Sequence, residues 1–67
     1  MYKAVLTERE KDILALKLDG LIDKEVAKRL AISYSTVRTH INRARLKCGC
    51  ESTLQLILQA NDLLNIA

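Results

Sequence analysis

The stretch from Asp23 to Lys47, DKEVAKRLAISYSTVRTHINRARLK, decides how this chain folds. It holds two helix-forming runs separated only by Ala31-Ile32-Ser33. In the first run Val26, Ala27 and Leu30 recur at helical spacing on one face, and Asp23 stands where an N-cap would. Ser33 precedes the second run as its cap, and Gly49 follows it as a stop. So short a link forces the two helices to meet at a sharp angle. This is the helix-turn-helix arrangement, whose second helix can enter a DNA major groove. Ala27 falls where the helices would cross, and a small side chain there lets them approach. A plain helical hairpin has the same short turn, so the faces of the second helix must decide between the two.

At about 100° per residue, that helix divides into two faces. Val37, Ile41, Ala44 and Cys48 fall within roughly 40° of one direction, with Tyr34 beside them, and form a core face. Opposite lie Ser35, Arg38, Thr39, Asn42 and Arg43. Arginine can bond guanine O6 and N7 together, asparagine can pair with adenine, and the threonine methyl can touch thymine. Ser35 and Thr36, at the positive start of the helix, suit phosphate, and Lys24, Lys28, Arg45 and Lys47 flank the face as further phosphate ligands.

The charge distribution agrees. The 67 residues carry a net +3, yet Lys24 to Lys47 alone holds seven cations against the single acid Glu25. From Val26 to Cys50 there is no acid at all. A merely solvated helix mixes signs to form i,i+4 pairs, whereas a one-signed segment is the footprint of a polyanion binder.

Ahead of this stretch, Thr7-Glu8-Arg9-Glu10 fits a capping box, Ile13, Leu14 and Leu18 make an apolar stripe, and Gly20 ends that helix. Ser52 can cap a last helix. The chain has no proline, two glycines and abundant Leu, Ala, Lys, Arg and Glu. The expected fold is all-α, a four-helix bundle containing a helix-turn-helix. Its helices run over about 8–18, 24–31, 34–48 and 53–64, in one domain spanning 1–67.

Other classes of function find little support. No run approaches the ~20 apolar residues of a membrane span, and no secretory signal is visible. Cys48 and Cys50 are too few for a disulfide framework, and with His40 they fall short of a four-ligand metal site. His40, at the edge of the core face, is expected to be a packed or hydrogen-bonded structural residue. Cys50 is expected to be half-exposed. No nucleophile–base set or phosphate loop is present, so neither catalytic residues, a cofactor nor a small-molecule ligand is expected, and a cytoplasmic location is.

The last helix has two apolar faces, Leu54, Ile57 and Leu58 on one and Leu56, Ala60 and Leu63 on the other. A domain this small can cover only one of them, and a second copy of the chain is the natural cover for the other. The expected dimer interface is Leu56, Ala60 and Leu63.

Three segments, Leu6-Thr7-Glu8-Arg9-Glu10, Lys24-Glu25-Val26-Ala27 and Ser33 to Ile41 with Thr36-Val37 and His40, together resemble the DNA-binding domain of LuxR/FixJ-type bacterial transcription regulators. The resemblance runs from about Leu6 to Ile57. It implies a third helix that reads the major groove of double-stranded DNA, a fourth helix that forms a homodimer, and sites arranged as inverted repeats. It puts Arg38, Thr39 and Asn42 at base-facing positions, puts Thr36, Arg43 and Lys47 near the backbone, and gives Glu8 and Arg9 a part in fixing the first helix. The chain departs from the pattern at Ala44, at Lys47-Cys48-Gly49, at Thr53 where an arginine is usual, and at Asn42 where many members carry lysine or another polar residue. Arg43-Ala44-Arg45 also resembles region four of sigma factors. Two alternatives therefore stand beside sequence-specific DNA binding by a transcription regulator: a sigma-region-four-like domain, and an interaction module that pairs through its last helix with a larger regulator.

Overall fold

The structure, a computed structural model, describes residues 6–65, with side chains as far as Asp62. Four helices follow one another: α1 (Glu8–Leu18), α2 (Asp23–Leu30), α3 (Tyr34–Lys47) and α4 (Thr53–Asn65). Most of their ends are set by local chemistry. The Thr7 hydroxyl accepts from the Glu10 amide at 3.1 Å, and a Glu10 carboxylate oxygen accepts from the Thr7 amide at 2.9 Å, which completes the capping box. The Ser33 hydroxyl accepts from the Thr36 amide at 3.1 Å. The Ser52 hydroxyl does the same for Gln55, also at 3.1 Å.

The start of α2 differs from expectation. Asp23 is the first helical residue rather than the cap, because its carboxylate is drawn to Lys17 at the end of α1, 2.8 Å away. Ile22 occupies the cap position and has no acceptor to offer. Only the reverse half of a capping box remains, with the Ile22 amide donating to Glu25 at 3.0 Å.

Three helices end alike, on a residue in the left-handed region followed by an amide that reaches back five residues. Gly20 (φ 94°) precedes the bond from the Leu21 amide to the Leu16 carbonyl, and Gly49 (φ 69°) precedes that from Cys50 to Arg45. The end of α2 uses the same geometry without a glycine. Ala31 sits at φ 57°, and the Ile32 amide bonds the Ala27 carbonyl at 3.0 Å. This is the turn of the helix-turn-helix.

The core is drawn from every helix: Ile13 and Leu14, Val26 and Ala27, Val37, Ile41 and Ala44, Leu56 and Ala60. α1 and α3 form its centre, each packing on all three other helices, while α2 and α4 do not touch. Cys50 is a correction. It is buried with the core rather than half-exposed, because the turn at Gly49 folds it inward. Tyr34 moves the other way, out of the expected core face and into solvent.

One charged residue joins this core. Glu10 is 2% exposed, and its Oε1 accepts from Lys47 Nζ at 2.8 Å as well as from the Thr7 amide. The pair connects the cap of α1 to the last residue of α3. Burial alone would push the Glu10 carboxyl up. The Lys47 ammonium and the Thr7 amide outweigh it and hold the group below its usual value. Among the described residues Glu8 pairs with Lys11 on its own helix, at 3.4 Å, while Glu10 ties the start of α1 to α3.

A carboxyl whose pKa is lowered by folding stabilises fully above its unfolded value, and that contribution is lost as pH falls through the folded one. Between about pH 5 and pH 2, the urea midpoint of the native chain should fall more steeply than that of Glu10→Gln. Lys47→Met, which leaves the carboxylate buried, should cost about 2–3 kcal/mol and lower the melting temperature by about 10–20 °C. Ala31→Gly should act in the opposite direction. It removes about 1–2 kcal/mol of left-handed strain against about 0.4–1 kcal/mol of added unfolded-state entropy. A calorimetric melting temperature a few degrees higher is expected, and a lower one would show that the turn is unstrained.

Candidate nucleic-acid interface

The outward face of α3 carries Ser35, Arg38, Thr39, Asn42 and Arg43, all exposed. Their placement follows from the opposite side, where fully buried Val37 and nearly buried Ile41 and Ala44 fix the rotation of the helix. At the start of α3 the Ser33 hydroxyl meets those of Ser35 (3.1 Å) and Thr36 (2.7 Å), so three hydroxyls cluster at the positive end of the helix. Arg38 leans back on its own helix. Its Nη1 donates to the Tyr34 hydroxyl at 3.2 Å, and its guanidinium lies 5.9 Å from the centre of that ring. Exposed cation–ring contacts of this kind are worth about 0.5–1 kcal/mol, little enough to be exchanged for a better partner. Arg38, Thr39, Ile41, Asn42 and Thr53 line one shallow groove, which brings the three expected base-facing residues together.

The expected phosphate ligands divide into two groups. Lys24, Lys28 and Arg43 are exposed, and none has an ion-pair partner among the described residues. Arg29, not singled out from the sequence, shares both properties and flanks Lys28 on α2. Glu25, the one acid of this segment, faces the Ile22 amide. The other two expected cations have partners within the chain. Lys47 is committed to Glu10. Arg45 is half-buried, donating from Nη1 to the Cys50 carbonyl at 3.1 Å and from Nη2 to Asn42 Oδ1 at 2.8 Å.

The expected dimer face is also corrected. Leu56 and Ala60 have no exposed surface, because they fill the core between α1 and α3. The side chain of Leu63 lies outside the described residues. Among the described residues the exposed apolar positions of α4 are Leu54 (66%) and Leu58 (72%), one turn apart. His40 is half-buried as expected and packed, but its Nδ1 is buried with no hydrogen-bond partner. The Cys48 thiol is pushed up by burial and by the neighbouring Cys50 and Glu10, which keeps it protonated.

Thr53 was the other residue missed. It borders the groove from the first turn of α4, and only its departure from a familiar pattern singled it out in sequence.

Comparison with known proteins extends the geometry. The family model described as bacterial regulatory proteins, luxR family, matches residues 4–60. A putative HTH-type transcriptional regulator of Mycobacterium tuberculosis is 42% identical over 55 residues, which cover 82% of this chain and 6% of that protein. The spore germination protein GerE of Bacillus subtilis is 37% identical over 57 residues, 85% of this chain and 77% of its own length. The transcriptional regulatory protein TdiR of Thauera aromatica is 44% identical over 54 residues, 81% of this chain and 24% of that protein. The chain thus spans a small part of the two larger regulators and about three quarters of GerE.

Proposed function

Since the chain belongs to the luxR family of bacterial regulatory proteins, a family of DNA-binding helix-turn-helix domains, we propose that it binds double-stranded DNA sequence-specifically, as a homodimer on an inverted repeat, and so regulates transcription. The observation that carries this reading is the acid-free outer face of α3, with Arg38, Thr39 and Asn42 along one groove and unpaired cations on either side. With α3 in the major groove, Lys24, Lys28 and Arg43 and the hydroxyls of Ser35 and Thr36 meet phosphates and set the register. Arg38, Thr39 and Asn42 meet base edges. Lys47 and Arg45 are left out of the phosphate set, since both already have partners within the chain.

The dimer half of the proposal rests on Leu54 and Leu58. An i,i+4 pair of exposed leucines on one helix makes a self-complementary ridge of the kind that two-fold interfaces use. The same ridge could serve a larger protein partner, and that reading predicts no duplex affinity of its own.

A salt titration separates the two readings. Duplex affinity should fall linearly on a log–log plot, and Arg43→Ala should reduce the slope by about 0.9 while weakening all sequences alike. Arg38→Ala should cost about 1–3 kcal/mol on the preferred sequence and relax one base position. Negligible duplex binding even at low salt would reject the proposal. For the dimer, Leu58→Glu should shift the sedimenting mass to the monomer with the melting temperature nearly unchanged. Leu56→Asp should unfold the chain instead, and a folded Leu56→Asp monomer would restore the original assignment of that face.

A further inference from the structure

Asn42 is bound in a way that changes what it can say to a base. Its only acceptor, Oδ1, takes a hydrogen bond from Arg45 Nη2 at 2.8 Å. Arginine has donors only, so this contact fixes which end of the amide is which. Arg45 is not free to wander. Its Nη1 is anchored on the Cys50 carbonyl at 3.1 Å, in the turn between α3 and α4, and the residue is half-buried there. The guanidinium is therefore a two-point clamp between a rigid turn and the reading face. Among the described residues the Asn42 amide nitrogen, with two hydrogens, carries no hydrogen bond, and Asn42 lines the groove with Arg38, Thr39 and Thr53.

We propose that Arg45 is a specificity-determining positioning residue: by holding Asn42 Oδ1 it makes Asn42 a hydrogen-bond donor toward DNA, which selects guanine over adenine at the position Asn42 meets. This rests on the reading of α3 as the base-reading helix. Adenine presents N7, an acceptor, beside the N6 amino donor, so recognising it needs the amide nitrogen and the amide oxygen together. With one lone pair of the oxygen taken by Arg45 and the rotation of the amide set by that bond, the N6 amino group meets a shared acceptor turned toward Arg45. Guanine presents O6 and N7, two adjacent acceptors, which a donating amide can satisfy. Asparagine in a recognition helix would ordinarily suggest adenine, and the clamp reverses that.

The test is selection from a random duplex pool by the native chain, Asn42→Ala and Arg45→Met. Asn42→Ala identifies the position by flattening its preference. There the native chain should select guanine, and Arg45→Met should move the preference toward adenine by roughly fivefold or more with an unchanged salt slope. A slope reduced by about 0.9 in Arg45→Met would make Arg45 a phosphate ligand and overturn the proposal, as would an identical preference in both proteins. The native chain alone gives a second test that does not depend on the variant folding. At that position, 7-deazaguanine for guanine should weaken binding several-fold, whereas purine for adenine, which removes only the N6 amino group, should cost nothing. A several-fold loss with purine would show that the amide oxygen does read DNA. If the native chain enriches no sequence at all, the DNA-reading proposal fails. If it enriches one and Arg45→Met leaves it unchanged, only the role of Arg45 falls.

Discussion

The ion pair between Glu10 and Lys47 is the constraint on which the rest of the arrangement depends. A carboxylate with almost no exposed surface is costly unless it is neutralised and hydrogen-bonded, and Glu10 satisfies both needs with one oxygen. The consequence is geometric. The same oxygen that closes the cap of α1 holds the last residue of α3, so the start of α1 and the end of α3 cannot move independently. Replacing the pair with apolar groups could keep the helices packed. It would lose the directional bond that sets how far α3 slides along α1.

Around that fixed point the connections are short and end-stopped. Gly20, Ala31 and Gly49 each terminate a helix in the left-handed region, and each is followed by an amide bonded five residues back. At Gly20 and Gly49 the conformation is nearly free of strain, whereas Ala31 holds it against its own Cβ. The strained turn lies between the two helices whose mutual angle defines the motif. The bond from Ile32 back to Ala27, together with the close packing of Ala27 in the core, over-determines it.

What was legible in the sequence was whatever is decided within a few residues. Thr7, Ser33 and Ser52 cap the helices they precede, and Gly20 and Gly49 stop the helices they follow, because those bonds span three to five positions. Asp23 failed for a reason of the same kind acting at longer range, since Lys17 from the preceding helix competes for its carboxylate. The fourth helix shows a different limit. Periodicity revealed two apolar faces on α4 but could not say which one turns inward. The choice is made by the fit of Leu56 and Ala60 against α1 and α3, and Leu54 and Leu58 are left outside. Nothing local marks the bond between Glu10 and Lys47, 37 residues apart, so Lys47 looked like a free cation.

The cations of the basic segment are not equivalent. Of the seven cations between Lys24 and Lys47, the last two in the chain are occupied, one by Glu10 and one by Asn42 and the Cys50 carbonyl. Both sit in the final turn of α3, and the unpaired cations lie on α2 and in the first three turns of α3. α3 is thus anchored at its C-terminal end and chemically open toward its N-terminal end. A recognition helix contacts base edges mainly through its N-terminal residues, and placing them within a fraction of an ångström requires that something else hold the helix still. Lys47 and Arg45 serve that purpose here. A charge count taken from composition includes them with the unpaired cations, although each already has a partner within the chain.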